Sequence, residues 1–247
     1  IRRGQIKISQ QLITFVTSLP RRTSDCLTVQ RAQNGNAASQ ICASAQIRLK
    51  ATQIILIRPR RKQSMTGNKI WLFDTTLRDG GQTRGVDFTV ADKQFIASAL
   101  DEFGIDYIEG GWPGANPTDD AFFSTPQGLK HASLVAFGMT RRGGRSTEND
   151  PGLKAILDAQ ADATCLVGKA WDFHVTTALN IELDENLQMI RDSVAASKSA
   201  QFESMFDCEH YFDGFKANKE FALSCVKAAA EGGADWVVLC DTNGGTL

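Results

Sequence analysis

From residue 70 to residue 240 the apolar positions fall into short runs that alternate with longer amphipathic stretches. The run 70–73 predicts a buried strand. Residues 89–103 follow at helical spacing, with Phe95, Ile96, Ala99, Leu100 and Phe103 on one stripe and Gly104 placed to end the helix. Residues 106–111 and 132–137 read as the second and third strands, with a weak helix over 119–129 between them. A short helix over 152–159 leads to a fourth strand over 162–167. The spacing predicts a helix over 184–199, capped by Asp184, with Leu187, Ile190 and Val194 on its inner stripe. A fifth strand begins over 203–206. Residues 218–230 form a helix closed by Gly232 and Gly233, and 235–240 a sixth strand.

Six strand–helix repeats argue for a parallel sheet. Such a sheet either stays open or curls into a barrel. The polar residues discriminate, because Arg78 and Asp79, Glu109, Thr140 and Arg141, Lys169 with His174, Asp207 with Glu209 and His210, and Asp241 to Asn243 all fall at predicted carboxyl ends. A TIM barrel gathers residues from many strand ends onto one face. An open sheet uses mainly those at one switch point. The expectation is therefore an α/β chain carrying an incomplete TIM (β/α)8 barrel, with about six βα units and strands seven and eight missing beyond Leu247.

Composition adds a boundary. The chain has 247 residues, 42% of them hydrophobic, enough for a sizeable core. The net charge of −1 hides an asymmetry. Residues 1–64 carry twelve Lys/Arg against one acid, Asp25; residues 65–247 carry the other fifteen against twenty-seven acids. The basic segment shows no sustained helical or strand period and is expected to be a disordered or non-native extension before a catalytic domain over 65–247. Three readings of it stand side by side: sequence upstream of a true start at Met65, which is preferred, an organellar transit peptide, and a nucleic-acid-binding arm without a recognisable module. Cys26, Cys42, Cys165, Cys208, Cys225 and Cys240 form no C-x-x-C pair and read as buried thiols of a reducing compartment. No apolar stretch reaches transmembrane length. A cytoplasmic protein is expected, organellar only if 1–64 is a transit peptide.

The chemistry concentrates where the first strand ends, in D-T-T-L-R-D-G-G-Q over 74–82. An arginine beside an acid at a strand exit suits an anionic oxygen substrate. Asp79 can be a hard oxygen ligand, and Arg78 can fork onto a carboxylate or a developing enolate oxygen. On those two residues alone a surface salt bridge explains as much. The longer motif resembles the opening of the acetyl-CoA-dependent Claisen condensation enzymes, namely the isopropylmalate, homocitrate and citramalate synthases, related to hydroxymethylglutaryl-CoA lyase and named for an Asp-Arg-Glu set on a TIM barrel. E-G-G-W-P-G-A-N-P over 109–117, D-C-E-H-Y-F-D-G-F-K over 207–216 and L-C-D-T-N-G-G-T-L over 239–247 are similar to the citramalate synthases within that family. The resemblance covers about 69–247 and none of 1–64.

The resemblance implies an acyltransferase that condenses acetyl-CoA with a 2-oxo acid, here pyruvate, giving (R)-citramalate on the way to isoleucine. It implies Arg78 and Glu209 as catalytic residues, with Glu209 bracing the Arg78 guanidinium. Arg78, Thr242 and Gln82 would bind substrate. It implies a divalent metal (Mg, Mn or Zn) on Asp79, completed by two histidines of an H-x-H element. This chain has only His131, His174 and His210 and no H-x-H, so those ligands are expected beyond Leu247 and the chain as given is expected to be inactive. Pyruvate and acetyl-CoA are the expected partners, in a homodimer when full length, with neither nucleic acid nor membrane. His210 reads as structural, and Lys169 and His174 as surface residues. The nearest runner-up is a 2-isopropylmalate synthase. The rivals are a lyase or aldolase on the same scaffold, and a non-catalytic barrel fragment with a basic nucleic-acid-binding arm.

Overall fold

One sheet runs through the structure, a computed structural model that describes residues 54–57 and 70–246. Its strands in chain order are β1 (Ile54–Ile57), β2 (Phe73–Asp74), β3 (Tyr107–Gly111), β4 (Ser133–Met139), β5 (Ala163–Lys169), β6 (Glu203–Glu209) and β7 (Trp236–Cys240). Between them lie the helices α1 (Val90–Phe103), α2 (Pro117–Phe123), α3 (Pro151–Leu157), α4 (Asp172–His174), α5 (Leu183–Ser199), α6 (Tyr211–Ala217) and α7 (Lys219–Gly232). The strand order is β1-β7-β6-β5-β4-β3-β2, and β2 through β7 pair in parallel, each with the next in the chain. Six parallel strands curl into an incomplete TIM barrel, as expected.

Strand alternation sorts the side chains into two layers. Ile108, Leu134, Leu166, Phe206 and Val237 face outward and pack with Phe122, Leu153, Ile156, Ile190 and Val194 from the helices. Tyr107, Val135, Phe137, Cys165, Met205 and Trp236 line the concave face with Trp71, Phe73 and Val167. The same alternation continues to the strand ends. Glu109 follows Tyr107, Lys169 follows Val167, and Asp207 and Glu209 follow Met205, each at a spacing of two. The concave face therefore begins apolar and ends in charges at the carboxyl mouth.

Local signals stop and start the elements where the sequence suggests. Thr89 and Asp92 form a reciprocal capping box for α1, and Gly104 closes it in the left-handed conformation. Gly233 does the same for α7. Asp184 is not a cap: Glu182 holds that position in α5 without a side-chain bond, and Asp184 sits in the first turn. Ile190 and Val194 are fully buried as expected.

The stripe expected on α1 is rotated. Phe95 and Phe103 are 76% and 80% exposed, while Lys93, Ala97 and Asp101 face the core beside Ile96 and Leu100. Tertiary partners cause the rotation. Asp101 accepts the backbone N–H groups of Lys130, His131 and Ala132 at 2.9, 2.8 and 2.6 Å, which a phenylalanine cannot do. Strand β2 is shorter than 70–73, because Leu72 spends its N–H on the Asp106 carboxylate at 2.9 Å.

Strand β1 lies inside the segment expected to be an extension, so the sheet includes residues upstream of the expected boundary at 64/65. It pairs antiparallel with β7, from Ile54 opposite Cys240 to Ile57 opposite Val237. Four consecutive apolar residues, three of them isoleucine, favour a strand but are too few to show a period. The rest of 1–64, with Cys26 and Cys42, lies outside the described residues, as does Met65. Cys165, Cys208, Cys225 and Cys240 are free and buried. No helix among the described residues is long and apolar enough to cross a membrane.

Phe95, exposed on α1, and Phe122, buried on α2, give a direct test of which aromatic rings face the core. Phe122→Ala, which empties a fully buried site, is expected to cost about 3–5 kcal/mol in urea unfolding. Phe95→Ala is expected to change stability by no more than about 0.5 kcal/mol.

Candidate active site

The site begins where β2 stops. The Asp74 carboxylate accepts the Thr76 N–H at 2.9 Å and the Thr76 hydroxyl at 3.0 Å. The Thr75 carbonyl then accepts the N–H groups of Arg78, Asp79 and Gly80 at 3.2, 2.9 and 3.1 Å. This tight turn buries Leu77 as a plug and turns Arg78 back toward the concave face. There the Arg78 guanidinium lies 3.9 Å from the centroid of the Phe137 ring, and its Nε donates to Glu109 Oε2 at 2.6 Å. Its Nη1 reaches Asp79 Oδ1 at 3.5 Å.

Glu109, not Glu209, braces Arg78. β3 is the immediate neighbour of β2, whereas β6 lies four strands along the sheet, and the adjacent carboxylate takes the guanidinium. Glu209 instead forms an ion pair with Lys169, which stands directly opposite it in the β5–β6 register. Glu109 is 1% exposed, and its Oε1 has no hydrogen-bond partner among the described residues. Burial pushes its carboxyl up to about 7, a rise that the neighbouring Arg78 charge and hydrogen bond offset only in part. Burial also acts to lower the Arg78 pKa, but the charge and hydrogen bond of Glu109 outweigh it and hold the guanidinium protonated.

Asp207, placed at a strand exit from the sequence but given no role there, joins this group. It accepts from the Cys165 thiol at 3.2 Å, and burial pushes its pKa up to about 6. It feels the charges of both Arg78 and Glu209. Its signal in the sequence is the spacing of two from Glu209 on one strand.

The remaining expected residues take separate places. Gln82 ends a 3-10 turn over Gly80–Gln82 and lines a cavity of about 190 Å³ with Arg78, Lys93, Trp112, Asn116 and Asp119. The Thr242 hydroxyl accepts the His210 N–H at 2.9 Å, tying the β6 exit to the β7 exit. His210 adopts a left-handed backbone (φ 54°), and its Nδ1 lies 3.4 Å from Asp213 Oδ2. The His174 ring meets His210 edge-on at 4.6 Å. Burial, with the neighbouring His210 and Lys169, lowers the His174 pKa.

Asp79 presents a carboxylate that is 44% exposed, suited to a hard cation. A divalent cation needs several such donors, and no group of three His, Cys, Asp or Glu side chains that could hold one exists among the described residues. The described side chains thus do not complete a metal site.

Residues 69–247 match the HMGL-like family model. The chain belongs to the HMGL-like family. Among its relatives, an (R)-citramalate synthase from Aquifex aeolicus is 52% identical over 181 residues, covering 72% of this chain and 34% of that protein. A probable 2-isopropylmalate synthase from Methanopyrus kandleri is 32% identical over 179 residues, 72% of this chain and 34% of that one. This HMGL-like chain therefore spans about a third of the length of those relatives. The hydroxymethylglutaryl-CoA lyase of Pseudomonas aeruginosa shares the fold, with a TM-score of 0.54 at 20% identity, over 70% of this chain and 58% of the lyase.

The buried Asp207 makes stability depend on pH. Its folded pKa of about 6 lies above the ordinary 3.8, so between those values the native state holds a proton that the unfolded chain has released. Stability is therefore lost as pH rises from about 4 to 6. Asp207→Asn is expected to remove that loss, gaining at most about 3 kcal/mol over the native protein at pH 7.5 and nothing at pH 4. Urea unfolding at the two pH values measures it.

Proposed function

We propose that this HMGL-like chain carries the core of an enzyme that condenses acetyl-CoA with pyruvate to give (R)-citramalate and CoA. The orientation of Arg78 carries the reading. A guanidinium stacked on Phe137 and pinned through Nε by Glu109 has lost its freedom to swing. Nη1 makes only the long 3.5 Å contact with Asp79, so the Nη edge can meet a substrate oxygen. In a condensation the keto oxygen of the 2-oxo acid gains negative charge as the keto carbon is attacked. A preoriented guanidinium stabilises that charge without reorganising.

The balance of the reaction assigns the other groups. A general base takes a proton from the acetyl methyl, the resulting carbanion bonds to the keto carbon as its C=O π bond opens onto oxygen, that oxygen takes up a proton, and water then cleaves the thioester to a carboxylate and the free thiol. Gln82, beside Arg78 in the cavity, donates to a substrate oxygen. Thr242 supplies a hydroxyl proton to the 2-oxo acid carboxylate while its oxygen keeps the His210 N–H. Glu209 and Lys169 form the opposite side of the mouth. Asp79 is proposed as one ligand of the divalent cation that the family resemblance implies. The 52% identity to a citramalate synthase, against 32% to a 2-isopropylmalate synthase, favours pyruvate over a branched 2-oxo acid.

Thiol release from acetyl-CoA by the full-length protein tests the reading. Pyruvate is expected to outrun 2-oxoisovalerate and 2-oxoglutarate, and Arg78→Ala to lower kcat by about 10²- to 10³-fold with an unchanged far-ultraviolet spectrum. Equal turnover by Arg78→Ala, or a preference for 2-oxoisovalerate, overturns it.

A further inference from the structure

Lys93 projects from the inner face of α1, where an aliphatic side chain is the ordinary occupant, and is only 4% exposed. Its ammonium pairs with Asp119 of α2, itself 6% exposed. Among the described ion pairs it is the one in which both side chains are under a tenth exposed. Removing two charges from water is costly, and the pair persists only if hydrogen bonds satisfy what remains of both groups.

Those remaining bonds converge on one short segment. Lys93 Nζ donates to the Gly110 carbonyl at 2.8 Å. Asp119 Oδ2 accepts the Trp112 N–H at 2.8 Å and the Asn116 side-chain amide at 3.0 Å. Gly110 follows Glu109 directly, and the β3–β4 register breaks between Glu109 and Gly111, so Gly110 has no partner residue in the β4 register. A bulge of this kind re-aims the side chain beside it. The lysine holds the carbonyl at the bulge. Gly111 has a φ of +149°, and a Cβ there would stand 2.6 Å from the Asp119 carboxyl group, so the close approach needs glycine.

We infer that Lys93 and Asp119 are positioning residues that clamp the bulge at Gly110–Gly111 and so aim Glu109 at Arg78. The inference deepens the proposed condensing function and rests on it only for its kinetic test. Both residues also border the cavity beside Arg78, so the test must separate positioning from direct contact with substrate.

The test uses the whole chain with Lys93→Met, Glu109→Ala and the double variant, and Asp119→Asn as a milder break of the same clamp. Lys93→Met is expected to lower kcat about 10- to 100-fold while KM for both substrates stays within about threefold. In the Glu109→Ala background Lys93→Met is expected to cost no more than about twofold further, because the two act through one path. Losses that multiply, or a KM that rises tenfold with kcat kept, overturn the inference. A second readout needs no turnover. The Arg78 Nε–H resonance, assigned by its loss in Arg78→Lys, is expected to exchange with solvent at least about tenfold faster in Lys93→Met and in Asp119→Asn. Unchanged protection in both variants overturns the clamp. A full-length protein that releases no thiol at all overturns the condensing reading and leaves this second measurement to decide the clamp. If Lys93→Met fails to fold, Asp119→Asn serves in both arms.

Discussion

Arg78 and Glu109 meet at 2.6 Å on the concave side of the sheet, with the carboxylate fully buried and the guanidinium flat against Phe137. Neither charge is stable there alone. Burial drives Glu109 toward its protonated form, and the arginine restrains it. The contact requires three strands to be in place at once, because Arg78 comes from the turn after β2, Glu109 from β3 and Phe137 from β4. A pair of this kind contributes little net stability, yet breaking it leaves an uncompensated charge. The mouth of the half-barrel is built around that constraint.

The geometry of parallel strands explains how distant residues come to share the site. Side chains at a spacing of two face one way, so Tyr107 leads to Glu109, Val167 to Lys169, and Met205 to Asp207 and Glu209. The lower part of the concave face is mostly apolar, with Glu203 accepting from the Tyr107 hydroxyl at 3.0 Å and the Trp236 indole N–H at 2.8 Å. The upper part is charged, and each charge there has a partner: Arg78 with Glu109, Lys169 with Glu209, Asp207 with the Cys165 thiol. Asp207 feels the charges of both Arg78 and Glu209, which links the two sides of the mouth electrostatically. Outside the sheet, the buried Lys93–Asp119 pair supports the first of these contacts from behind.

How far the sequence was legible varies with the range of the interaction. The alternation of apolar runs and amphipathic stretches located the six parallel strands and five of the connecting helices, since both patterns are local. Glycine stops at 104 and 233 were legible because a left-handed residue at a helix end is a local requirement. The facing of α1 was not legible. Its exposed phenylalanines and buried Lys93 and Asp101 invert the hydrophobic rule, and the reason lies in backbone groups at 110 and 130–132 that no window of the helix contains. Strand β1 escaped notice because a segment of four residues shows no period.

The chain's residue order alone determined the repeat of strands and helices, the placement of Arg78 and Asp79 at the first strand exit, and the likeness to the Claisen condensation family. These depend on neighbours along the chain or on motifs read in a line. Only the tertiary structure decided which of two glutamates meets Arg78. Glu109 and Glu209 both end strands and both face inward, and nothing in their flanking residues ranks them. The choice follows from strand adjacency: β3 lies against β2, β6 lies against β5, and an ion pair forms with the carboxylate that the sheet brings within reach.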